Sequence, residues 1–378
     1  MIFPNTAEID LSQLVKNYNI IRKISASRVI CIVKANAYGH GAVECAAALY
    51  SAGADFFGVA NIYEAMEIRP YIGKSDILIL GYTAPQDAET LAEYNIIQTI
   101  YSHDYALELA ENIPSKAIVN CHIKINTGMN RLGFDTSNTD AITSLNTLKG
   151  LNINGIYTHF ACADMPDSSA TERQFSRFAE CAEKLESAGM RFEYKHASNS
   201  AGILNYAGYN LTAVRAGIIL YGLAPSPETA STKCLPVMEL KTTVSQLHTL
   251  AAGESVSYGA TFTAMRDMKV ATLTIGYGDG FVRAYSGINS KSGIKGAVYI
   301  NGLEAPIIGR ICMDQCVADV SLIDNVRRGD RAVIFDKIHT ADRFAEAADT
   351  INYEVTTLIN SRRVERIYQA PGRCNRNG

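Results

Sequence analysis

Short apolar runs alternate with amphipathic stretches through the first half of the chain. Runs rich in β-branched residues are typical of buried strands, and they occur at residues 29–33, 56–60, 77–80, 96–100, 118–125, 153–159, 194–198 and 213–217. Apolar positions at helical spacing lie between them, at residues 42–51, 86–94, 105–112 and 172–188. Eight alternating units of this kind predict an α/β fold with a (β/α)8 TIM barrel rather than an open sheet.

The rhythm changes after the proline-containing segment at residues 223–227. Strand patterns follow one another at residues 237–250, 269–275, 296–300, 307–313 and 331–335, and only residues 340–348 and 352–360 have a helical pattern. We therefore expect two domains. A TIM-barrel domain takes residues 1–235, and a mainly β C-terminal domain takes residues 236–378.

One lysine, Lys34, stands where the first predicted strand gives way to a glycine-containing turn. Barrel active sites lie at the carboxyl ends of the strands, where Arg131, His159, Asn199 and Ser200 also fall. Burial at such a place favours the neutral amine, which is the nucleophile that forms an imine with a carbonyl compound such as pyridoxal phosphate (PLP). A lysine that reaches solvent or an ion pair is the alternative interpretation.

Composition narrows the classes of protein. The chain has 378 residues, 47% of them hydrophobic and 19% charged, and its net charge of -3 gives no basic surface for nucleic acid. Its nine cysteines lack the paired spacing of a zinc site, so we expect reduced thiols and no metal. The N-terminus has no signal-peptide pattern, and no apolar run approaches the roughly 20 residues that cross a bilayer. We expect a cytoplasmic protein that acts on a small molecule.

Two segments could hold the phosphate of PLP. Asn199 and Ser200 end the seventh predicted strand and begin a helix, so Ser200 could be an N-cap, a phosphate ligand or both. Gly217 and Ile218 follow the eighth strand, and a glycine there lets backbone N–H groups approach an anion closely. A plain helix cap is the alternative for Ser200.

Arg215, just before this glycine, bears on the chemistry. A guanidinium stays protonated and cannot accept a proton, so beside the pyridine nitrogen of PLP it would leave that ring unprotonated and a weaker electron sink. His159 could hold Arg215 or lie against the ring. A structural ion pair for Arg215 and simple packing for His159 are the alternatives.

Several segments resemble those of one known family. Residues 33–41, VKANAYGHG, resemble the PLP-attachment motif of bacterial alanine racemases. Residues 124–134 resemble the KxDTGMxR motif of that family, with Asn126 and Asn130 as departures, and residues 256–260 resemble the segment that carries its second base. Further matches lie at residues 275–283, 309–315 and 351–354, and the resemblance extends from about residue 7 to residue 368.

The resemblance implies roles for individual residues. Lys34 would hold PLP as an internal aldimine and serve D-alanine, and Tyr258 of the partner subunit would serve L-alanine, because a racemase needs a base on each face. Arg131 would bind the phenolic oxygen of PLP and the substrate carboxylate, and Lys124 is often carbamylated in the family. The remaining implied residues are cofactor contacts at Tyr38 and Tyr353, a substrate contact at Met313, and a substrate corridor at Asp164, Tyr277, Arg283 and Arg310.

The implied function is the interconversion of L- and D-alanine by a homodimer with shared active sites, supplying D-alanine for peptidoglycan. A serine or broad-specificity racemase is an alternative, since an apolar pocket rejects one added hydroxyl only by roughly 100-fold; Tyr353 would crowd that hydroxyl. A related PLP decarboxylase would present an acid to the pyridine nitrogen instead of Arg215. A single-barrel PLP carrier would not need residues 236–378. The GYGDG run at residues 276–280 lacks the spacing of a dinucleotide loop.

Overall fold

A computed structural model describes residues 4–229 and 232–369. The chain divides into two compact units. The first, here called the barrel unit, consists of Leu14–Ala37 and Ala42–Cys234. The second, the β unit, consists of Met1–Gln13, Tyr38–Gly41 and Leu235–Gly378. The eight cysteines in the described residues are free thiols, and Cys374 lies outside those residues.

The barrel unit is built on eight parallel strands whose neighbours follow chain order. They are Arg28–Ile32, Phe56–Val59, Asp76–Ile79, Ile96–Ile100, Val119–Asn126, Leu151–Tyr157, Tyr194–His196 and Ala213–Ala216. The last strand pairs with the first. On its opposite edge, the Arg215 N–H donates to the carbonyl of Ser198, just after the seventh strand, at 3.0 Å. The predicted barrel is therefore confirmed, with each strand at the expected place.

Helices alternate with these strands. The α-helices are Leu11–Ser25, Ala42–Ser51, Ile62–Ile68, Ala88–Glu93, His103–Asn112, Thr139–Ser144, Ser169–Ser187 and Ser200–Asn205, and a short strand, Phe134–Asp135, pairs beside Asn126. Side-chain caps fix three helix starts, at Asn61, Ser102 and Asn199. No helix within residues 4–229 and 232–369 is long and apolar enough to cross a membrane.

The β unit is organised around a mainly antiparallel sheet of eight strands. In sheet order these are Met268–Leu273, Cys316–Asp319, Leu303–Ile308, Ala297–Ile300, Arg331–Phe335, Met238–Leu250, Thr6–Asp10 and Glu365–Gln369. A small hairpin pairs Ser255–Val256 with Phe262–Thr263, and the described α-helices of this unit after the hairpin are Asp342–Ala347 and Asn352–Thr357.

The β unit departs from the predicted pattern at one predicted strand, and it contains strands that the pattern did not indicate, among them Cys316–Asp319 and Glu365–Gln369. The prediction of a strand over residues 307–313 is wrong beyond Ile308, because Gly309 takes a positive φ of 65° and the chain leaves the sheet. The strand Thr6–Asp10, which the pattern did not indicate, pairs in parallel with Glu365–Gln369. The mainly β character of this part of the chain is confirmed.

Candidate active site

Lys34 is followed at once by a left-handed turn. Residues 35–38 all have φ between 52° and 54°, a region that residues other than glycine rarely adopt. The Glu64 carboxylate accepts the Ala35 N–H at 2.8 Å and the Ala60 N–H at 2.7 Å, and the Asn36 side chain accepts the Ala42 N–H at 2.9 Å. These side-chain bonds support a backbone turn that would otherwise be unfavourable, and so they fix the point where Lys34 leaves its strand.

The Lys34 ammonium is disfavoured in its surroundings. Burial lowers its pKa, the nearby Arg131 and Arg215 guanidinium groups lower it further, and Glu64 opposes part of that effect. Among the residues that the structure describes, Lys34 has no hydrogen-bond acceptor and no ion-pair partner. A larger fraction of neutral amine is the consequence, as nucleophilic attack on a carbonyl requires.

Lys124 is a second buried lysine in the same unit. Its residue is 4% exposed, and its Nζ lies 5.8 Å from the centre of the Tyr157 ring. Burial lowers the pKa of Lys124 to about 8, with Arg131, Arg215 and Lys34 contributing in the same direction. Among the described residues, no carboxylate forms an ion pair with Lys124.

Arg131 stands on an exposed loop that two asparagines organise. The Asn126 Oδ1 accepts the Asn130 N–H at 2.9 Å and the Gly128 N–H at 3.3 Å, and the Asn126 Nδ2 donates to Asn130 Oδ1 at 3.0 Å. Asn130 has a φ of 52°, which asparagine tolerates better than most residues. The two departures from the family motif therefore bond to each other within the loop.

Arg215 is buried, and both of its Nη atoms form hydrogen bonds. Its Nη1 donates to His196 Nδ1 at 2.7 Å, and its Nη2 donates to the Thr158 and Ala197 carbonyls at 2.7 Å each and approaches His159 Nδ1 at 3.3 Å. Its Nε–H has no acceptor among the described residues. Burial lowers the pKa of Arg215 to about 10, so the group still carries its proton at neutral pH.

A chain of two buried histidines continues from Arg215. Because a guanidinium only donates, His196 Nδ1 must be the acceptor, and its Nε2–H then donates to His122 Nδ1 at 2.9 Å. His122 must carry its own proton on Nε2, which is buried without a partner. Burial and Arg215 lower the pKa of His122 to about 3 and that of His196 well below its ordinary value. Both rings are therefore neutral.

An anion cradle lies after the seventh and eighth barrel strands. The Gly217 N–H donates to Ser200 Oγ at 3.0 Å, and Asn199 caps the helix by accepting the Gly202 N–H at 2.9 Å. Within the described residues the backbone N–H groups of Ser200, Ala201 and Ile218 have no acceptor. Ser200 and Ile218 are buried, and unpaired buried donors of this kind favour an anionic ligand.

The β unit carries the remaining candidate residues. The Tyr38 and Tyr353 rings lie 5.9 Å apart, and Arg283 and Arg310 line one cavity of about 560 Å³. The Tyr277 N–H donates to the Cys312 carbonyl at 3.0 Å, and the Gly278 N–H donates to the Met313 carbonyl at 2.8 Å, which joins two of the matched segments. Tyr258 and Met313 are 73% and 53% exposed.

Several of the candidate residues in the barrel unit lie close together, and further residues that sequence reasoning did not identify support them. Lys34, Arg131 and His159, which barrel topology led us to expect near one another, lie close enough for their charges to interact. Lys124 and Arg215 belong to the same cluster. Asp164 lies on a loop of the same unit, where its carbonyl accepts from Ser226 Oγ at 2.9 Å. Sequence reasoning missed three supporting residues, which are Glu64, His122 and His196. None lies in a motif, although His122 stands two residues before Lys124 on the same strand.

Known proteins match this chain over almost its whole length. It matches the family model of the alanine racemase N-terminal domain over residues 9–225 and that of the C-terminal domain over residues 237–368. Alanine racemase of Clostridium tetani is 40% identical over 379 residues, which cover 98% of this chain and 96% of the relative. Alanine racemase of Methanococcus maripaludis is 40% identical, with 97% and 98% covered.

Solved structures agree with these matches. An alanine racemase structure from Clostridium difficile 630 superposes with a TM-score of 0.92 at 35% identity, covering 99% of this chain and 97% of that one. One from Bacillus anthracis with bound L-Ala-P gives 0.89 at 31% identity, with 99% and 97% covered. These matches, together with the barrel and the β domain, assign the chain to a family of enzymes of the isomerase class. More narrowly, the chain belongs to the alanine racemase family.

Proposed function

We propose that this protein interconverts L- and D-alanine with PLP as its cofactor. The observation that carries the proposal is the pairing of Lys34, whose pKa is lowered, with a buried Arg215 guanidinium in the same unit. The first residue suits covalent attachment to a carbonyl, and the second suits a ring nitrogen that is to remain unprotonated. A PLP decarboxylase is expected to place an acidic residue at that nitrogen, whereas this chain offers the arginine Arg215.

The unpaired donors of the barrel unit fit PLP. The free Nε–H of Arg215 can donate to the pyridine nitrogen, and the free N–H groups of Ala201 and Ile218, with the Ser200 hydroxyl, can bind the phosphate. When bound, PLP would supply the carbonyl that combines with amines and the ring that withdraws electrons from the Cα–H bond. Tyr38 and Tyr353 are the proposed further contacts to the cofactor.

The chain's own residues would bind the substrate and move the proton. Arg131 of one copy and, across the dimer interface, Met313 of the other bind the carboxylate of alanine, which orients the Cα–H bond. The neutral Lys34 amine takes the proton from D-alanine or returns it, and the Tyr258 phenol of the partner subunit does the same for L-alanine on the opposite face. His159, Asn199 and Gly217 hold Arg215 and the phosphate-binding loops in place.

Lys124 is proposed to be carbamylated. A lysine whose pKa is about 8 has a substantial neutral fraction near neutral pH, and only the neutral amine attacks CO2. The resulting anion would offset the charges of Arg131, Arg215 and Lys34 around it, and it would orient Arg131. Incubation with 13C-labelled bicarbonate tests this: a carbamate carbon signal is expected in the unaltered protein and not in Lys124→Met.

A corridor of Asp164, Tyr277, Arg283 and Arg310 is proposed to admit the substrate. Arg283 and Arg310 share one cavity, and paired cations raise the local concentration of a carboxylate. The D-alanine formed would supply peptidoglycan synthesis. The proposed enzyme is a homodimer because Tyr258 serves the site of the other copy.

The direct test is incubation of the PLP-loaded protein with L-alanine in D2O. Optical rotation should fall to zero while deuterium enters Cα of both enantiomers. Lys34→Ala should lose this activity, whereas Lys195→Ala, which alters a surface ion pair with Glu186 at 3.1 Å, should retain it. Release of CO2 without racemisation would assign the protein to decarboxylation, and faster turnover of serine than of alanine would change the substrate.

A further inference from the structure

The loop that carries Tyr258 is anchored at its base. Residues 257–261 form the tip of the hairpin in which Val256 pairs with Phe262 and Ser255 with Thr263. Val256 is 6% exposed and belongs to a packed cluster with Leu250, Ala264, Met268, Val270 and Ile308. The hairpin base is therefore fixed by burial, and the orientation of Tyr258 depends on the backbone of the tip.

Ser257, immediately before Tyr258, has an unusual backbone conformation. Its φ of 64° and ψ of -178° fall in a region that is essentially restricted to glycine. A serine stays there only where its surroundings hold it. Ala260, at the other end of the tip, also has a positive φ of 46°, and its N–H donates to the Ser257 carbonyl at 3.2 Å.

The surroundings that hold Ser257 belong to the loop after Ile308. The Ser257 hydroxyl donates to the Arg310 carbonyl at 2.7 Å and lies 3.3 Å from Cys312 Sγ. The two loops meet closely at Gly309, where an added Cβ would lie 2.9 Å from the Val256 carbonyl oxygen and 3.1 Å from Ser257 Cβ. One hydroxyl thus joins the strained residue to the segment that carries Arg310 and Met313.

The Tyr258 side chain has no comparable support of its own. It is 73% exposed, and within the described part of the chain its phenol has no hydrogen-bond partner. We infer that Ser257 is a positioning residue, whose hydroxyl bond to the Arg310 carbonyl holds the backbone that directs the Tyr258 phenol toward the substrate. This inference rests on the proposed function, in which Tyr258 is the base for L-alanine.

The test compares Ser257→Ala and Ser257→Gly in the PLP-loaded enzyme. Both variants remove the hydroxyl, but glycine adopts the required backbone without strain, so it keeps the test open if the alanine variant folds poorly. The matched control is Ser245→Ala, which removes a serine hydroxyl that donates to the Thr272 carbonyl at 3.1 Å elsewhere in the β unit. Each variant is assayed in both directions with alanine that carries hydrogen or deuterium at Cα.

We expect both Ser257 variants to lower kcat about tenfold with little change in KM, since misplacing a catalytic group weakens the chemical step. The isotope effect should rise for L-alanine, whose deuterium Tyr258 removes, and fall for D-alanine, whose deuterium Lys34 removes. A general loss of folded enzyme would lower kcat and leave both isotope effects unchanged. Ser245→Ala should match the unaltered enzyme in every respect.

Two results would overturn the inference. One is a pair of isotope effects in both Ser257 variants equal to those of the unaltered enzyme. The other is full recovery of kcat and isotope effects in Ser257→Gly, which would assign the effect to backbone strain and not to the hydroxyl. Tyr258→Phe, measured alongside, separates the two proposals: if it abolishes racemisation while the Ser257 variants are normal, only this inference fails, and if it retains full activity, both fail.

Discussion

Three cations of the barrel unit act on one another's charge, are buried or half-buried, and have no carboxylate in an ion pair among the described residues. They are Lys34, Lys124 and Arg215, and each has a lowered pKa for which burial is the largest cause. Buried cations without a negative charge in an ion pair are costly, so such a cluster favours anionic ligands. A phosphate, a substrate carboxylate and a carbamate would each reduce this cost, which is why the three proposals about PLP, alanine and Lys124 support one another.

The charge on Lys124 predicts how stability depends on pH. Below pH 8 Lys124 is protonated in both the folded and the unfolded chain, so burial of its charge reduces the free energy of unfolding. Above its ordinary pKa of 10.5 the lysine is neutral in both states, and this reduction disappears. Lys124→Met should therefore raise the free energy of unfolding most below pH 8. Its advantage should shrink by about 3 kcal/mol as the pH rises from 8 to 10.5.

Urea unfolding of the PLP-free protein in CO2-free buffer measures this difference. Lys195→Met provides the control, because Lys195 is paired with Glu186 near the surface and its replacement should show no such narrowing. A Lys124→Met advantage that stays constant from pH 7 to pH 10.5 would contradict the prediction.

Glu64 gives a second prediction for a single residue. Its carboxylate raises the pKa of Lys34 against the lowering by burial and Arg131, so removing the charge should lower that pKa further. In Glu64→Gln the pH midpoint for attachment of PLP should move to lower pH, as followed by the visible absorption of the lysine-bound cofactor. Glu67→Gln on the exposed face of the same helix is the control. An unchanged or higher midpoint in Glu64→Gln would count against this electrostatic role.

At the scale of elements, the sequence predicts the barrel well because its strands are local signals. Runs such as residues 96–100 have isoleucine at three of their five positions, and the structure buries all five residues of Ile96–Ile100. The short strand Thr6–Asp10 escaped prediction because its partners, Met238–Leu250 and Glu365–Gln369, lie far along the chain. Such non-local pairing leaves little local pattern to detect.

The site was predictable where motifs carried it and not where single residues support it. The left-handed turn at residues 35–38 contradicts the preferences of alanine and tyrosine, and it depends on Glu64, which lies almost thirty residues away. His122 and His196 have no spacing that links them to Arg215, because barrel strands that are distant in sequence bring them together. Tertiary contacts, and not propensity, decide these features.

Gly155 allows the histidine chain to fit between two barrel strands, and this yields a prediction. His122 and Gly155 are paired in register, and a Cβ at residue 155 would lie 2.3 Å from His122 Cδ2. Gly155→Ala should therefore displace the ring, weaken the bond to His196 and loosen Arg215. We expect the free energy of unfolding to fall by about 1–3 kcal/mol, as in other overpacked cores, and the affinity for PLP to fall with it.

Denaturant unfolding and PLP titration test this change. Gly208→Ala is the matched control, since a Cβ at residue 208 would meet no atom within 4 Å and its φ is not positive. If Gly155→Ala behaves like Gly208→Ala in both measurements, the histidine chain does not need the space that Gly155 leaves.

At the scale of the whole molecule, the candidate residues are divided between the two units. Lys34, Arg131 and Arg215 belong to the barrel unit, whereas Tyr258 and Met313 belong to the β unit. Under the proposed function Lys34 and Tyr258 of one site come from different copies of the chain, so a single copy would hold one base for each of two sites. This arrangement makes dimer formation a condition for racemisation and not only a source of stability.

Mixed dimers test that condition. Lys34→Ala and Tyr258→Phe should each be nearly inactive alone, but a dimer with one copy of each has one site with both bases and one site with neither. Random mixing makes half of the dimers mixed, with one of two sites intact, so about one quarter of the unaltered activity should return. Different affinity tags on the two copies verify that exchange has occurred. As a control, mixing Lys34→Ala with a Lys34→Ala/Tyr258→Phe double variant must restore no activity, because no pairing of those copies supplies Lys34. If the first mixture is equally inactive after verified exchange, the two bases do not come from different subunits.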